Sequence, residues 1–219
     1  MRGTIEQGSD TNDVIASYGR SGTNMMINAI RMNFGPRLAM THGLIDTWVG
    51  RKHNIVYMVR DPRNVLVSYY RLLKKGALHF SMIEDEVAPL DFHQMLRGEW
   101  VKPLTGCRQR HGEIGRVVND MLPAPAAAWA KHAAGYRLSD DALTVKYEDL
   151  VADYDNTMVR VGKYLGHAVP DTGTVPVEGF VGPLPGEGSP EGWKEYFSDE
   201  DLSLVMKEAG DEMKEWGYE

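Results

Sequence analysis

The chain has 219 residues, 42% hydrophobic and 25% charged, which is the composition of a folded globular protein and excludes a disordered, collagen-like or coiled-coil chain. Its formal net charge of −7 argues against a general nucleic-acid partner, because nucleic-acid binders usually carry a basic excess. The single cysteine, Cys107, excludes an internal disulfide and a cysteine-based zinc site, and it favours a reducing compartment.

The hydropathy pattern contains no targeting or membrane signal. Residues 1–12 are polar, lack the apolar run of a signal peptide and are expected to form a flexible N-terminus. No stretch approaches the ~18 apolar residues that a membrane span requires. We therefore expect a soluble, cytoplasmic protein whose residues 1–219 form a single domain.

Three strand–helix units are predicted along the chain, each joining a short apolar run to a segment with helical periodicity. The predicted strands are Asp13–Tyr18, Asn54–Val59 and Leu143–Tyr147, and the helices after them are Thr23–Asn33, a segment from Pro62 to Gly76, and Asp155–Leu165. This alternation predicts an α/β fold in which a central parallel sheet is flanked by helices on both faces.

The remaining segments are less regular. Residues 77–142 are expected to be mostly helical and irregular, and the alanine-rich run Pro123–Ala134 within them predicts a packed helix. Residues 173–192 contain six glycines and four prolines and are expected to form a long loop. Ser198–Asp201 has the pattern of a capping box that begins the last helix.

The turn after the first strand has the composition of an anion site. Glycines such as Gly22 permit the close approach of backbone that a tight strand-to-helix turn requires. Backbone N–H groups at the start of a helix favour a phosphate or sulfate. The side chains that add donors or charge are Arg20, Ser21, Thr23 and Asn24. Such a turn is also common without a ligand, and it lacks the Lys-Ser/Thr pair of a Walker A motif.

A second anion-binding site, with a basic side chain, is predicted after the second strand. Arg60 ends that strand, and Ser68 follows eight residues later inside the next helix. Because ligands of such sheets bind outside the carboxyl ends of the strands, Arg60 is expected to point into the same crevice as the turn. Residues 51–75 contain seven lysines and arginines and one acidic residue. A small polyanion therefore fits this region, although the net charge of the whole chain is negative.

Four segments resemble, in order, the sulfotransferase family that uses 3′-phosphoadenosine 5′-phosphosulfate (PAPS). They are Tyr18–Thr23, similar to the family's 5′-phosphosulfate loop; Met40–His42, similar to its Lys-Thr-His segment; Tyr57–Tyr70, similar to its 3′-phosphate motif; and Tyr147–Leu150, similar to its Tyr-Glu-Asp segment. Gly192–Lys194 is a fifth, shorter match to a Gly-Asp-Trp-Lys segment. Together they span most of residues 13–216.

The resemblance implies a P-loop NTPase-like sulfotransferase fold, PAPS as donor, 3′-phosphoadenosine 5′-phosphate (PAP) as product, and no metal. It implies in-line transfer of a sulfuryl group to a hydroxyl or amine of a small-molecule, glycan or lipid acceptor, with residues 77–142 on the acceptor side. The roles that it implies are catalysis for His42, as general base, and for Arg20; and nucleotide binding for Arg20, Ser21, Gly22, Thr23, Asn24, Arg60, Ser68, Tyr147 and Trp193.

The sequence departs from the family pattern at two nucleotide contacts. The tryptophan that stacks on adenine in cytosolic members aligns with Met25, and the family's Arg-Lys-Gly triplet aligns near residues 186–188, which contain no cation. These departures imply either weaker PAPS binding or another residue in the place of the triplet. The loop lysine of the cytosolic branch is Arg20 here, as in the tyrosylprotein and carbohydrate branches.

The sequence is also compatible with other assignments of the base and of the reaction. A glutamate could serve as the base instead of His42, although no glutamate lies between Gly8 and Glu84. The same fold also occurs in P-loop kinases and other phosphotransferases, and a non-catalytic nucleotide-binding protein of this fold would share the same motifs. The acceptor and the oligomeric state do not follow from the sequence.

Overall fold

The computed structural model describes residues 13–35, 38–42, 44–45, 53–74, 91–98, 124–168 and 191–219. The predicted flexible N-terminus, most of the predicted acceptor-side segment and all but the last two residues of the Gly/Pro-rich loop lie outside these residues.

Within the described residues, four parallel strands form the sheet. They are β1 (Asp13–Ser17), β2 (Leu38–Thr41), β3 (Ile55–Val59) and β4 (Ala142–Lys146), and their order across the sheet is β2-β1-β3-β4. The predicted α/β class with a central parallel sheet is confirmed. Strand β2 was not predicted, because its four residues lie at an edge of the described sheet and lack the buried apolar run of β1 and β3.

Helices lie close to the predicted positions after each predicted strand, in the alanine-rich run and after Ser198, whereas the helices Phe92–Leu96 and Tyr147–Ala152 were not individually predicted. The helices are α1 (Thr23–Phe34), α2 (Pro62–Lys74), α3 (Phe92–Leu96), α4 (Pro125–Arg137), α5 (Tyr147–Ala152), α6 (Tyr154–Leu165) and α7 (Asp199–Glu215), with a 3₁₀ turn at Gly192–Glu195. Gly166 ends α6 in the left-handed conformation, and Ser198 and Asp201 form the predicted capping box of α7. None of these helices is long and apolar enough to cross a membrane.

The alternation of side chains along the strands divides the core into two layers. On one face, Val14 and Tyr57 pack with helices α2, α3, α4 and α7. On the other face, Ile15 and Met58 pack with α1, α5 and α6. The alanine-rich helix α4 therefore belongs to the core, where Trp129 is fully buried.

The strand order places the carboxyl ends of β1 and β3 at a topological switch point, since the chain passes from β1 to β2 on one side and to β3 on the other. Open parallel sheets bind their ligands in the crevice at such a point. Arg20 follows β1, His42 follows β2, Arg60 follows β3 and Tyr147 follows β4. Four of the predicted site residues thus lie together at the carboxyl ends of the strands.

Candidate active site

The turn between β1 and α1 takes backbone conformations that most residues avoid. Arg20 has φ of 68° and Gly22 has φ of 92°, both in the left-handed region. Such a conformation costs a non-glycine residue roughly 1–2 kcal/mol. The turn holds Arg20 in it by tertiary contacts, which direct its side chain across the strand ends.

The same turn leaves several donors without partners among the described residues. The first backbone hydrogen bond of α1 runs from Met26 N–H to the Gly22 carbonyl, and no side chain caps the helix. The amides of Thr23, Asn24 and Met25 therefore have no partner within the helix. Ser21 is fully buried, yet its Oγ makes no hydrogen bond within the described residues. Unpaired donors at a helix N-terminus fit an anion.

Arg20, Arg60 and Ser68 come together across the switch point. Nε of Arg20 donates to Oγ of Ser68 at 3.1 Å, and Nη1 of Arg60 donates to the Arg20 carbonyl at 3.4 Å. Burial lowers the pKa of Arg20, and the neighbouring positive charge of Arg60 lowers it further. Two like charges held in one crevice indicate a site for a polyanion, because an anion would relieve their repulsion.

Arg60 is held by an aromatic ring. Its guanidinium carbon lies 4.3 Å from the centroid of the Tyr147 ring, and its buried Nε has no hydrogen-bond partner among the described residues. The Tyr147 ring also packs so closely on Gly22 that a Cβ at that position would collide with it. Tyr147 begins helix α5, so its predicted place at the end of a strand is wrong by one residue.

His42 is oriented by the last residue of β1. Nδ1 of His42 lies 2.9 Å from the Ser17 carbonyl oxygen. Because a carbonyl oxygen only accepts, Nδ1 carries the proton in the neutral ring and Nε2 keeps its lone pair. Burial lowers the pKa of His42 and the charge of Arg20 lowers it further, whereas the bond to the Ser17 carbonyl acts in the opposite direction. The ring is therefore neutral near pH 7, as a general base must be.

A buried histidine supports His42 from the other side. Nε2 of His132, on helix α4, lies 3.2 Å from the His42 carbonyl oxygen, and Nδ1 of His132 lies 3.1 Å from the Tyr57 hydroxyl. Only 4% of His132 is exposed. Since the His42 carbonyl must accept, His132 donates through Nε2 and accepts the Tyr57 hydroxyl at Nδ1. Helix α4 thus fixes the backbone at His42.

Trp193 lies beside α2 but faces a different arginine. The Arg63 guanidinium lies 4.4 Å from the Trp193 ring centroid, and Asp61 binds Arg63 through both carboxylate oxygens. Trp193 is partly buried and packs on the first core layer. The structure therefore brings Trp193 to the start of α2, with one face of its ring occupied by Arg63.

Glu148 joins the ends of β3 and β4. Its Oε1 accepts the Asp61 backbone N–H at 3.1 Å, and its Oε2 accepts the Tyr218 hydroxyl at 3.0 Å. Burial raises the pKa of Glu148, and these hydrogen bonds offset part of that rise. Oε1 thus links the segments that follow β3 and β4, and Oε2 links the start of α5 to the C-terminal segment after α7.

Sequence reasoning missed Ser17 and His132. Ser17 is a small polar residue at the end of an apolar strand, and His132 is a lone histidine between Trp129 and Tyr136 in an alanine-rich helix. A buried polar residue among apolar ones implies a partner, and this signal could have marked both. Among the described residues, no group of three or more histidine, cysteine, aspartate or glutamate side chains could hold a metal ion.

A family model described as the Sulfotransferase domain matches residues 33–176, more than half of the chain. No curated protein sequence matches at a significant level. Among solved structures, the fold is similar to mouse sulfotransferase SULT7A1 complexed with PAP (TM-score 0.63, 14% identity, covering 94% of this chain and 85% of that one). It is also similar to retinol dehydratase in complex with androsterone and the inactive cofactor PAP (TM-score 0.52, 15% identity, 93% and 80%). On the family match over these residues, the chain belongs to the sulfotransferase family.

Proposed function

We propose that this protein transfers the sulfuryl group of PAPS in line to a hydroxyl or amine of an acceptor, with His42 as general base. The observation that carries the proposal is the meeting of Arg20 and Arg60 at the switch point, beside unpaired helix amides and His42. Family membership supports the reaction class, and the two PAP-bound structures of similar fold support the nucleotide.

The unpaired polar atoms support a nucleotide with phosphates at both ends. Oγ of Ser21 and Nε of Arg60 are buried without partners among the described residues, and each lies at a different βα turn. Leaving a buried polar group unpaired costs about 1–3 kcal/mol, so an anion at each turn would offset that cost. We assign the 5′-phosphosulfate to the turn at Ser21–Thr23 with Asn24, and the 3′-phosphate to Arg60 and Ser68.

A bound PAPS supplies the sulfuryl group and a 5′-phosphate leaving group. Arg20 stabilises the negative charge that develops on the leaving phosphate, because a fixed cation in a water-poor site acts most strongly where charge increases. Nε2 of His42 takes the proton from the acceptor as the hydroxyl or amine attacks. Glu148 uses both carboxylate oxygens elsewhere, which favours His42 over this carboxylate as the base.

Tyr147 and Trp193 take indirect roles in this proposal. The Tyr147 ring positions Arg60 and borders the turn at Gly22. Trp193 packs on Arg63 at the start of α2 and thereby stabilises the helix that carries Ser68. The acceptor is a small molecule, glycan or lipid, and its contacts are assigned to residues 77–142.

The reaction is tested by incubating the protein with radiolabelled PAPS and a mixed pool of phenols, steroids, sugars and lipids, and then identifying the labelled product. We expect label in at least one acceptor, with most turnover lost in His42→Ala while PAP binding persists. PAP binding with no transfer to any acceptor would favour a non-catalytic nucleotide-binding protein. Magnesium-dependent ATP turnover without PAPS turnover would favour a phosphotransferase.

The 3′-phosphate assignment is tested by calorimetry with PAP and with adenosine 5′-monophosphate. The wild type is expected to bind PAP more tightly, and Arg60→Gln should remove most of that preference. The matched control is Arg160→Gln, because Arg160 is an exposed arginine on α6 that donates to the Thr144 carbonyl at 3.3 Å. Equal affinity of the wild type for both nucleotides would refute the assignment.

A further inference from the structure

We propose that Ser17 is a positioning residue that couples His42 to the donor turn through a chain of hydrogen bonds from Nδ1 of His42 to Oγ of Ser17 and on to Oγ1 of Thr23. The chemical roles of His42 and Thr23 rest on the proposed function. The hydrogen-bonded chain itself is a property of three side chains in the described structure and is testable without any ligand.

The three groups are in direct contact. Oγ of Ser17 lies 3.2 Å from Nδ1 of His42 and is hydrogen-bonded to Oγ1 of Thr23. Ser17 is completely buried and Thr23 is 6% exposed. Water therefore has little access to the Ser17 hydroxyl, which must find its partners within the protein.

The donor and acceptor roles along these hydrogen bonds follow from Nδ1–H of His42, which can only donate. Nδ1 of His42 must donate to the Ser17 carbonyl, and the same N–H is shared with the Ser17 hydroxyl oxygen. Since Oγ of Ser17 accepts there, its own proton is available for Oγ1 of Thr23. With Ser17 as the donor, the Thr23 hydroxyl at the first residue of α1 can donate its own proton to a bound ligand.

The chain would strengthen during the proposed reaction. His42 takes one proton from the acceptor at Nε2 while the new bond to sulfur forms and the S–O bond to the 5′-phosphate breaks, with the bonding pair leaving on the phosphate oxygen. The ring becomes an imidazolium, and its Nδ1–H becomes a stronger donor to Ser17. Hydrogen bonds in series polarise one another, so Thr23 becomes a stronger donor as charge develops on the leaving group. No proton moves along the chain.

No other described neighbour can replace Ser17 in this role. Arg20 acts on His42 through its charge, and His132 bonds to the His42 backbone carbonyl rather than to the ring. The Ser17 carbonyl oxygen accepts from the His42 ring, but it is a backbone atom and does not belong to the path that runs through the Ser17 hydroxyl to Thr23. Thr23 can therefore influence the His42 ring through the Ser17 hydroxyl, and removal of that hydroxyl should uncouple them.

The test measures the pKa of His42 by NMR in the ligand-free protein, with the signal assigned by its loss in His42→Gln. Because both hydroxyls stabilise the imidazolium, Ser17→Ala and Thr23→Val should each weaken proton binding by His42, on the order of threefold. The double variant should be no weaker than Ser17→Ala alone. Ser17→Thr and Thr23→Ser retain the hydroxyls and should stay close to the wild type.

Additive effects in the double variant, or an unchanged His42 pKa in Thr23→Val, would overturn the proposal. Retained far-UV circular dichroism of each variant establishes that the fold is intact, and the conservative variants provide the comparison if Ser17→Ala does not fold. PAP binding is measured separately in the wild type. Absence of PAP binding with a coupled His42 pKa would refute the proposed function alone, whereas PAP binding with uncoupled residues would refute the chain alone.

Discussion

The ring of Tyr147 lies under the guanidinium of Arg60, with 4.3 Å between the guanidinium carbon and the ring centroid. The same ring packs against Gly22. One side chain therefore contacts both the proposed 5′-phosphosulfate site and the proposed 3′-phosphate site. Tyr147 is therefore placed to hold these two phosphate sites at a fixed separation.

Replacement of the Tyr147 ring should weaken nucleotide binding through Arg60. A cation–π contact contributes about 0.5–2 kcal/mol, so Tyr147→Leu should weaken PAP binding by roughly two- to thirtyfold. Tyr147→Phe keeps the ring and should bind like the wild type. Calorimetric titration with PAP and with adenosine 5′-monophosphate distinguishes a loss specific to the 3′-phosphate from a general one. An equal loss for both nucleotides would contradict the role of Tyr147 as a support for Arg60.

Gly22 should not tolerate a side chain, for two physical reasons. Its φ of 92° is strained for any other residue, at roughly 1–2 kcal/mol, and a Cβ would also displace the Tyr147 ring. We expect Gly22→Ala to lower the free energy of unfolding and to weaken PAP binding by more than about tenfold, since it moves both the turn and the support of Arg60.

Gly35 provides the matched control for this substitution. It ends α1 with φ of 71°, and a Cβ there would meet nothing within 4 Å. Gly35→Ala should therefore incur the backbone cost in urea unfolding but leave the PAP dissociation constant unchanged. If both variants weaken PAP binding equally, the effect at Gly22 comes from helix stability and not from the turn.

The sequence predicted most of the fold because its buried strands are short apolar runs with clear boundaries. Strands β1 and β3 are completely buried, and the helices after them begin at Thr23 and Pro62 as expected. Strand β2 escaped prediction because its residues are half-exposed and alternate too briefly to give a signal. Its position next to β1 is nevertheless what places His42 beside Ser17.

The sequence predicted only those parts of the candidate site whose residues belong to recognisable local motifs. The side chains of Arg20, Arg60 and Ser68 were expected near one another, and the structure brings them together. The supports behind them come from distant segments: His132 reaches His42 across 90 positions in the chain. Such contacts depend on how α4 packs on the sheet, which no local pattern specifies.

The rate of transfer should fall at acid pH with a midpoint below that of an ordinary histidine. His42 must be neutral to accept a proton, and burial together with the charge of Arg20 lowers its pKa from the usual value of about 6.5. Activity should therefore be lost only as the pH falls below about 6.5, when the imidazolium forms. The pH profile of kcat/KM at constant ionic strength measures this midpoint.

The residual activity of His42→Ala provides the control for this profile. It should lack the acid limb, because no group remains that must be deprotonated at that position. A limb at the same pH in this variant would assign the titration to another residue and would remove His42 from the role of base.

The capping box of α7 should make the fold sensitive to acid. Burial raises the pKa of Asp201, but the hydrogen bonds from the Ser198 side chain and backbone, and from Nδ1 of His93 at 2.5 Å, outweigh burial and lower it overall. A carboxylate whose pKa is lowered in the folded state stabilises the fold above its unfolded pKa of about 3.9, and that contribution is lost as the pH falls through the folded value. We expect Asp201→Asn to cost about 1 kcal/mol in urea unfolding at pH 7 and progressively less towards pH 3.

Asp199 separates this effect from that of general helix charge. It is exposed in the first turn of the same helix, where an acid also favours the helix dipole. Asp199→Asn should cost less than Asp201→Asn at pH 7, because Asp199 does not form the reciprocal bonds with Ser198 that define the capping box. A cost for Asp201→Asn that stays constant between pH 7 and pH 3 would mean that the amide loses only shape or packing, and that the charge of Asp201 contributes nothing.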